Sequence, residues 1–116
     1  ICGIPGKANT IWEGSTLTIF LHFPIGYPQF KPVCIFKPTI PHPNIFSNGQ
    51  VCLSIMNNWK ATTTIKDILV GIQILLNEPN SNSPANSQMN TLLLKDKKQY
   101  DQAIIEFCEN HKSILF

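Results

Sequence analysis

The sequence predicts an α+β fold in which a small antiparallel sheet is backed by helices. Segments with the two-residue alternation of strands lie in the first third of the chain, whereas helical spacing appears only in the second half. The chain has 116 residues, of which 43% are hydrophobic and 14% are charged, so it can bury one core without metal or disulfide support. We therefore expect residues 1–116 to form a single domain.

The longest predicted strand covers residues 17–23. Leu17, Ile19, Leu21 and Phe23 occupy every second position, which is the period of a strand with one buried face. Glycine precedes this segment, and a Pro- and Gly-rich segment follows it, as expected of turns on both sides. The segment is therefore expected to be a strand with one well-buried face.

A second, shorter strand is predicted at Val33 to Phe36, because Pro38 stops it shortly afterwards. Residues 39–49 are rich in Pro, Asn, Ser and Gly and predict an irregular loop, with residues 47–49 as its tight turn. A short apolar run at residues 51–55 follows the turn. The loop therefore connects two apolar segments.

The clearest predicted helix begins at Thr64, because Thr64 and Asp67 have the spacing of a capping box. Apolar residues then follow at helical spacing. They are Ile65, Ile68, Leu69, Ile72, Leu75 and Leu76. The Glu-Pro-Asn segment at residues 78–80 ends this helix, and residues 81–87 are predicted to be a polar loop.

A last helix is predicted to begin near Asp96. Its inner face would carry Tyr100, Ala103, Ile104 and Phe107, which are three or four residues apart or adjacent on one side of a helix. The order of strands first and helices later completes the α+β prediction.

Composition excludes several classes of function. The net charge of +2 is too small for a nucleic-acid or membrane surface, and no apolar run approaches the roughly 18–20 residues that span a bilayer. The four cysteines have spacings that match no zinc motif, and the three histidines are scattered. We expect neither a metal nor a cofactor, and we expect reduced thiols, with two disulfides as the alternative. The cysteines are Cys2, Cys34, Cys52 and Cys108.

One motif is specific enough to indicate a family. His42, Pro43 and Asn44 are consecutive, and Cys52 follows Asn44 by eight residues. This arrangement resembles the active site of ubiquitin-conjugating enzymes. Further similarity to that family lies at residues 12–14, 27–28, 76–80 and 83–85. The resemblance covers almost the whole chain, although the family's first helix, upstream of its sheet, has no counterpart in this sequence.

The resemblance implies a transferase with the ubiquitin-conjugating-enzyme fold. Such an enzyme accepts an activated modifier as a thioester on Cys52 from an activating enzyme. It then passes the modifier to a lysine of a substrate protein, usually with a ligase. A thiolate is the nucleophile in thioester exchange, so Cys52 needs no separate base to attack an already activated thioester. The expected location is cytoplasmic, nuclear or both.

The family also implies roles for four further residues. The Asn44 amide would donate a hydrogen bond to the oxyanion of the tetrahedral intermediate, or it would hold the loop in position through an Asx turn. His42 and Pro43 would support the loop. Ser83 would lie at the gate of the site, where many members of the family have an acidic residue that orients the incoming lysine; the alternative is a hydroxyl that stabilises a turn.

Three alternatives remain open from the sequence. The modifier is either ubiquitin, which we favour, or SUMO. Residues 80–88 resemble the branch that ubiquitinates histone. Residues 4–7 with Trp12, residues 52–55 and residues 64–80 resemble the SUMO-conjugating enzyme, although that enzyme has a charged insertion between its Cys and Trp that is absent here. A second alternative is an inactive adaptor with the same fold, which the presence of Cys52 disfavours. A third is an unrelated α+β binding module, which would require all the motifs to be coincidental.

Overall fold

The computed structural model describes residues 1–52 and 59–111. In this part of the chain, three strands precede three helices, which confirms the predicted α+β order. The elements are β1 (Cys2–Pro5), β2 (Thr16–His22), β3 (Val33–Phe36), α1 (Ile65–Asn77), α2 (Ser87–Lys95) and α3 (Lys97–Glu109).

The three strands form an antiparallel sheet in the order β1-β2-β3. Ile19, at the centre of β2, pairs with Cys2 on one side and with Phe36 on the other, and its side chain is fully buried. β3 has the predicted bounds. Phe23 was expected on the buried face of β2, and this is wrong: it lies beyond the strand, is 50% exposed, and packs against the Tyr27 ring in a T-shaped arrangement.

Strand β1 was not predicted from the sequence. Its four residues include a glycine and a proline, which are both unfavourable in strands, and only Ile4 is buried. The segment is extended because it pairs with β2 over its whole length, from Cys2 opposite Ile19 to Pro5 opposite Thr16. Pairing with a neighbour, which sequence patterns do not reveal, therefore defines this strand.

Helix α1 begins as predicted, with Thr64 as the N-cap. The Asp67 N–H donates to Thr64 Oγ1 and the Thr64 N–H donates to Asp67 Oδ2, each at 3.0 Å, so the capping box is complete. The helix ends at Asn77 with Glu78 as its C-cap, where the Glu-Pro-Asn segment was predicted to end it. Its buried face carries Ile68, Ile72, Leu75 and Leu76.

Helix α3 follows the prediction, whereas α2 does not. Asp96 caps α3, and Tyr100 and Ile104 are buried on its inner face. The segment from Ser87 onward was predicted only as the end of a polar loop, yet it begins α2. Asn86 caps that helix by accepting a hydrogen bond from the Met89 N–H at 3.1 Å.

A single cluster of buried side chains draws on all three strands and all three helices. Trp12, which is 1% exposed, lies in this cluster, and its Nε1–H donates to the carbonyl oxygen of Leu76 at 3.0 Å. The loop before β2 is thereby tied to the end of α1. Within residues 1–52 and 59–111, no helix is both long and apolar enough to cross a bilayer.

Candidate active site

A tight hairpin leads into Cys52. Ile45 pairs with Val51 across it, and the Gly49 N–H donates to the Phe46 carbonyl at 2.8 Å, so the predicted turn at residues 47–49 is confirmed. Gly49 has φ of +90°, and a Cβ there would lie 2.0 Å from the Phe36 carbonyl oxygen. Only glycine fits this close approach to β3.

Cys52 is half-buried at the end of this hairpin. Its N–H donates to the Asn44 carbonyl at 2.9 Å, and the preceding Val51 N–H donates to the Cys34 carbonyl at 2.9 Å. The two bonds fix the backbone at Cys52 and at the residue before it. The rest of the apolar run predicted at residues 51–55 lies outside the described residues. No disulfide joins any two of the four cysteines.

His42 is fully buried and acts as a neutral link between the loop and α1. Its Nδ1 accepts a hydrogen bond from the Asn44 N–H at 3.0 Å, so the ring proton lies on Nε2, which donates to the Leu75 carbonyl at 2.9 Å. Burial lowers the pKa of His42 to about 4, although hydrogen bonds to the backbone of Leu75 and Leu76 partly oppose this shift. This geometry leaves no ring nitrogen of His42 for proton transfer.

The Asn44 side chain is buried and uses both ends of its amide. Nδ2 donates to the carbonyl oxygens of Asn80 at 2.8 Å and of Ser83 at 2.9 Å, while Oδ1 accepts from the Asn80 N–H at 2.8 Å. Both amide hydrogens are therefore engaged. Donation to an oxyanion would require one of these two hydrogen bonds to break.

Pro43 contributes its carbonyl oxygen as well as its rigid ring. This oxygen accepts hydrogen bonds from the Ala85 N–H at 2.7 Å and from the Asn86 N–H at 3.0 Å. Asn86 also caps α2, so the same contact positions the start of that helix. The loop at residues 80–86 is consequently joined to residues 42–44 at both of its ends.

Ser83 is half-buried in the joined loop. Its N–H donates weakly to the Asn80 carbonyl at 3.4 Å, and its carbonyl accepts from Asn44. The Asn44 carbonyl in turn accepts from the Cys52 N–H, so Asn44 links Ser83 to Cys52 through two hydrogen bonds. All five residues selected from the sequence therefore belong to one network.

Sequence reasoning missed Asn80 and Asn86. Asn80 exchanges two hydrogen bonds with Asn44, and its Oδ1 also accepts from the Asn82 N–H at 3.0 Å. An asparagine three residues before Met89 and six before Leu92 could have been recognised as the N-cap of a short helix. Asn80 has no such signal, because its function depends on a partner 36 residues away.

The surroundings of the site favour Cys52 as its nucleophile. Burial raises the pKa of the Cys34 thiol to about 11, so Cys34 is a core residue and carries no thiolate near neutral pH. Within the described ranges, no group of three or more His, Cys, Asp or Glu side chains is placed to hold a metal ion. The arrangement is thus a half-buried thiol on a rigid, polar but uncharged loop.

This combination of fold and site defines a ubiquitin-conjugating enzyme domain. The family model for ubiquitin-conjugating enzymes matches residues 1–108, and the chain belongs to that family. A crystal structure from Plasmodium yoelii that is assigned to the ubiquitin conjugating enzymes superposes with a TM-score of 0.88 at 27% identity, over 97% of this chain and 75% of that one.

The similar curated proteins have more specific names. The chain is 44% identical over 106 residues to the SUMO-conjugating enzyme ubc9 of Dictyostelium discoideum. It is 38% identical to the SUMO-conjugating enzyme UBC9 of Caenorhabditis elegans and 42% identical to the SUMO-conjugating enzyme SCE1 of Arabidopsis thaliana. Each match covers 89% of this chain but only 67%, 64% and 66% of the relatives, so the chain spans about two thirds of their length.

Proposed function

We propose that this chain is the catalytic part of a SUMO-conjugating enzyme. It would accept the activated modifier as a thioester on Cys52 and transfer it to a lysine of a substrate protein. The observation that carries this proposal is the half-buried Cys52, whose N–H is bonded to the Asn44 carbonyl in a loop fixed by buried His42 and Asn44. This geometry holds the backbone of Cys52 on a rigid frame.

The choice of modifier rests on the named relatives. The sequence motifs favour ubiquitin, but three relatives with 38–44% identity are SUMO-conjugating enzymes, and they support the alternative. An inactive adaptor is less consistent with the site, since it would have no need for a cysteine at position 52. An activating enzyme, a ligase and a cytoplasmic or nuclear location belong to the same proposal.

We assign Asn44 primarily to positioning. Its amide hydrogens hold the carbonyls of Asn80 and Ser83, and its carbonyl holds Cys52, so it sets the distance between the thiol and the loop at the gate. Oxyanion donation is the competing role, and it requires a rearrangement during the transfer step. His42 and Pro43 would support the same loop.

The test is a charging assay with two modifiers. The chain is mixed with ATP and either the ubiquitin pair or the SUMO pair of activating enzyme and modifier, and a thiol-sensitive adduct is sought. We expect an adduct with the SUMO pair. Cys52→Ala should abolish it, whereas Cys52→Ser should give an oxyester that resists thiols, because oxygen replaces sulfur at the same position.

Two outcomes would contradict the proposal in different ways. An adduct with the ubiquitin pair alone would reverse the choice of modifier. A thiol-sensitive adduct that persists in Cys52→Ala would move the thioester to another cysteine. Cys34→Ala provides the matched control, since the buried Cys34 should be dispensable for charging once folding of the variant is verified.

A further inference from the structure

A surface groove lies between α3 and the loop that follows β3, and we call it the α3 groove. On the helix side it is lined by Ala103, Glu106, Phe107 and Asn110, which stand three or four residues apart or adjacent and so form one stripe along α3 and its C-cap. The groove has a volume of about 460 Å³. This volume lies within the range of roughly 300–1,000 Å³ found for ligand sites in proteins.

The inner part of the α3 groove is apolar. Its loop side is lined by Thr39, Ile40, Pro41 and Ser47. Ile40 is 3% exposed and belongs to the core, and Phe107 packs against that core while it remains partly exposed. A partner that covers these side chains would remove hydrocarbon surface from water, which favours association.

The loop side of the groove also offers main-chain hydrogen-bonding groups. Thr39 is exposed and Pro41 is half-buried. In the part of the chain that the structure describes, the N–H and carbonyl of Thr39 and the carbonyl of Pro41 have no protein partner, whereas the Thr39 hydroxyl donates to the Phe46 carbonyl at 3.1 Å. Main-chain groups of this kind bind an extended peptide, as sheet edges do.

Among the described residues that line the groove, Glu106 alone carries a charge. Its Oε1 accepts a hydrogen bond from Gln102 Nε2 at 3.3 Å, and no lysine within residues 1–52 and 59–111 forms an ion pair with it. Lys37 is near in sequence, but its Nζ lies 5.0 Å from the centroid of the Phe20 ring, on the face of β2 opposite to buried Ile19. The negative charge in the groove therefore favours a basic residue in the partner.

The α3 groove is continuous with the loops that surround Cys52. Ser47 lies in the hairpin that leads into Cys52. Asn86, which also lines the groove, donates its N–H to the Pro43 carbonyl at 3.0 Å and so belongs to the loop that carries Ser83. A protein segment in the groove therefore contacts the hairpin of the cysteine and the loop at the gate of the site.

We propose that the α3 groove binds an extended segment of the substrate protein, outside the lysine that is modified, and that this segment carries an apolar side chain and a basic residue. The apolar side chain covers Ile40 and Phe107, the main chain pairs with Thr39, and the basic side chain lies beside Glu106. This inference rests on the proposed function and specifies which substrates the site prefers. The second contact raises the local concentration of the lysine at Cys52 and takes no part in the chemical step.

The experiment compares single-turnover discharge of the SUMO-charged chain to free lysine and to three acetylated peptides below saturation. Each peptide joins one lysine to a short tail through a Gly-Ser linker of about 12 residues, which can reach across a molecule of 42 × 40 × 23 Å. The tails are Leu-Thr-Val-Arg, the same tail with Glu in place of Arg, and the same tail with Ser in place of Leu and Val. Each tail is placed both before and after the lysine.

We expect the apolar, basic tail to react about tenfold faster than the tail with serines, and about threefold to fivefold faster than the tail with Glu. Equal rates for the three peptides would overturn the inference. Discharge to free lysine in the same experiment would then leave the proposed function standing. If no thioester forms before the acceptors are added, the proposed function fails, and this inference fails with it.

Substitutions in α3 test where the tail binds. Ala103→Arg places a long cationic side chain in the groove, three residues from Glu106, and should remove the advantage of the apolar, basic tail over the tail with serines. Ile105→Arg is the matched control, since Ile105 is exposed and does not line the groove. Glu106→Gln should bring the ratio of the Arg tail to the Glu tail near one, whereas Glu109→Gln makes the same change of charge outside the groove and should leave this ratio intact.

Three results with the folded variants would overturn the inference. An unaltered preference in Ala103→Arg would place the tail elsewhere. An equal fall in discharge to free lysine and to the tailed peptide would assign the groove to the modifier. A dimer in sedimentation that Ala103→Arg disrupts would make the groove an interface between two copies of the chain.

Discussion

Replacement of Asn44 by alanine separates the positioning role from the oxyanion role. The substitution removes three hydrogen bonds of 2.8–2.9 Å, two donated by Nδ2 and one accepted by Oδ1. Each such bond contributes about 1 kcal/mol net, so the free energy of unfolding should fall by about 3 kcal/mol, or by about 2 kcal/mol where water reaches the carbonyls of the outer loop. A loss of this size is a large part of the stability of a small domain.

The assay is urea denaturation under reducing conditions, followed by tryptophan fluorescence. A loss of about 2–3 kcal/mol should lower the denaturation midpoint by about 1 M or more without a change in slope. Asn82→Ala is the matched control, because Asn82 belongs to the same loop but its side chain is exposed. It should change stability by less than about 0.5 kcal/mol.

A second substitution sharpens the same test. Asn44→Asp keeps an oxygen that can accept from the Asn80 N–H. Its second carboxylate oxygen replaces the Nδ2 donor and faces the carbonyl oxygens of Asn80 and Ser83. We expect it to be at least as destabilising as alanine at pH 7, since a buried carboxylate then lacks donors. If Asn44→Ala changed stability by less than about 0.5 kcal/mol while lysine discharge fell about 100-fold, the amide would be an oxyanion donor and the positioning argument would be refuted.

Three further predictions concern stability and thiol reactivity. The pKa of His42 is about 4 in the folded chain and 6.5 in the unfolded chain, so the unfolded state binds the proton first as the pH falls. The contribution of neutral His42 to the free energy of unfolding is therefore complete above pH 6.5. That free energy should fall by about 3 kcal/mol by pH 4. Urea titrations at several pH values check this, and an equally steep loss in His42→Gln would assign it to other groups. Thr64→Ala removes the N-cap of α1 and should lower the free energy of unfolding by about 1 kcal/mol. Thr64→Ser keeps a capping hydroxyl and should therefore keep most of that stability. Equal losses for the two variants in thermal or urea unfolding would contradict the capping role. Native alkylation at pH 8, followed by peptide mass spectrometry, should label the half-buried Cys2 well before Cys34, whose pKa is raised to about 11; rapid labelling of Cys34 would show that the core opens readily.

Local patterns predicted the elements that depend on local chemistry. Helix α1 was predicted from its capping box and apolar spacing, and β3 from a short apolar run stopped by a proline. The same reasoning failed where pairing or a short cap decides the outcome. β1 contains Gly3 and Pro5 and is a strand only because β2 lies beside it. Helix α2 was not predicted, and its N-cap, Asn86, was assigned to the polar loop at residues 81–87.

The residues of the site could be selected from the sequence, but their connections could not. The motif that joins Asn44 to Cys52 by an interval of eight residues named the loop and its cysteine. The hydrogen bonds of Asn44 to Asn80 and Ser83 span 36 and 39 residues, and no periodicity or composition reports such a contact. The engagement of both amide hydrogens, which bears on the role of Asn44, therefore required coordinates.

The network also explains why buried polar residues occupy a loop beneath the cysteine. Residues 39–44 and 78–86 make few ladder hydrogen bonds of their own, so their buried carbonyl and N–H groups need partners from side chains. Asn44 supplies such partners at Asn80 and Ser83, and His42 adds a bond to the Leu75 carbonyl at the end of α1. An apolar residue at position 44 would remove these partners from the Ser83 carbonyl and the Asn80 N–H. Because the same bonds hold the two walls of the site together, local stability and the geometry around Cys52 depend on the same few atoms. A substitution that loosens the loop should therefore alter transfer chemistry even where it does not touch the thiol.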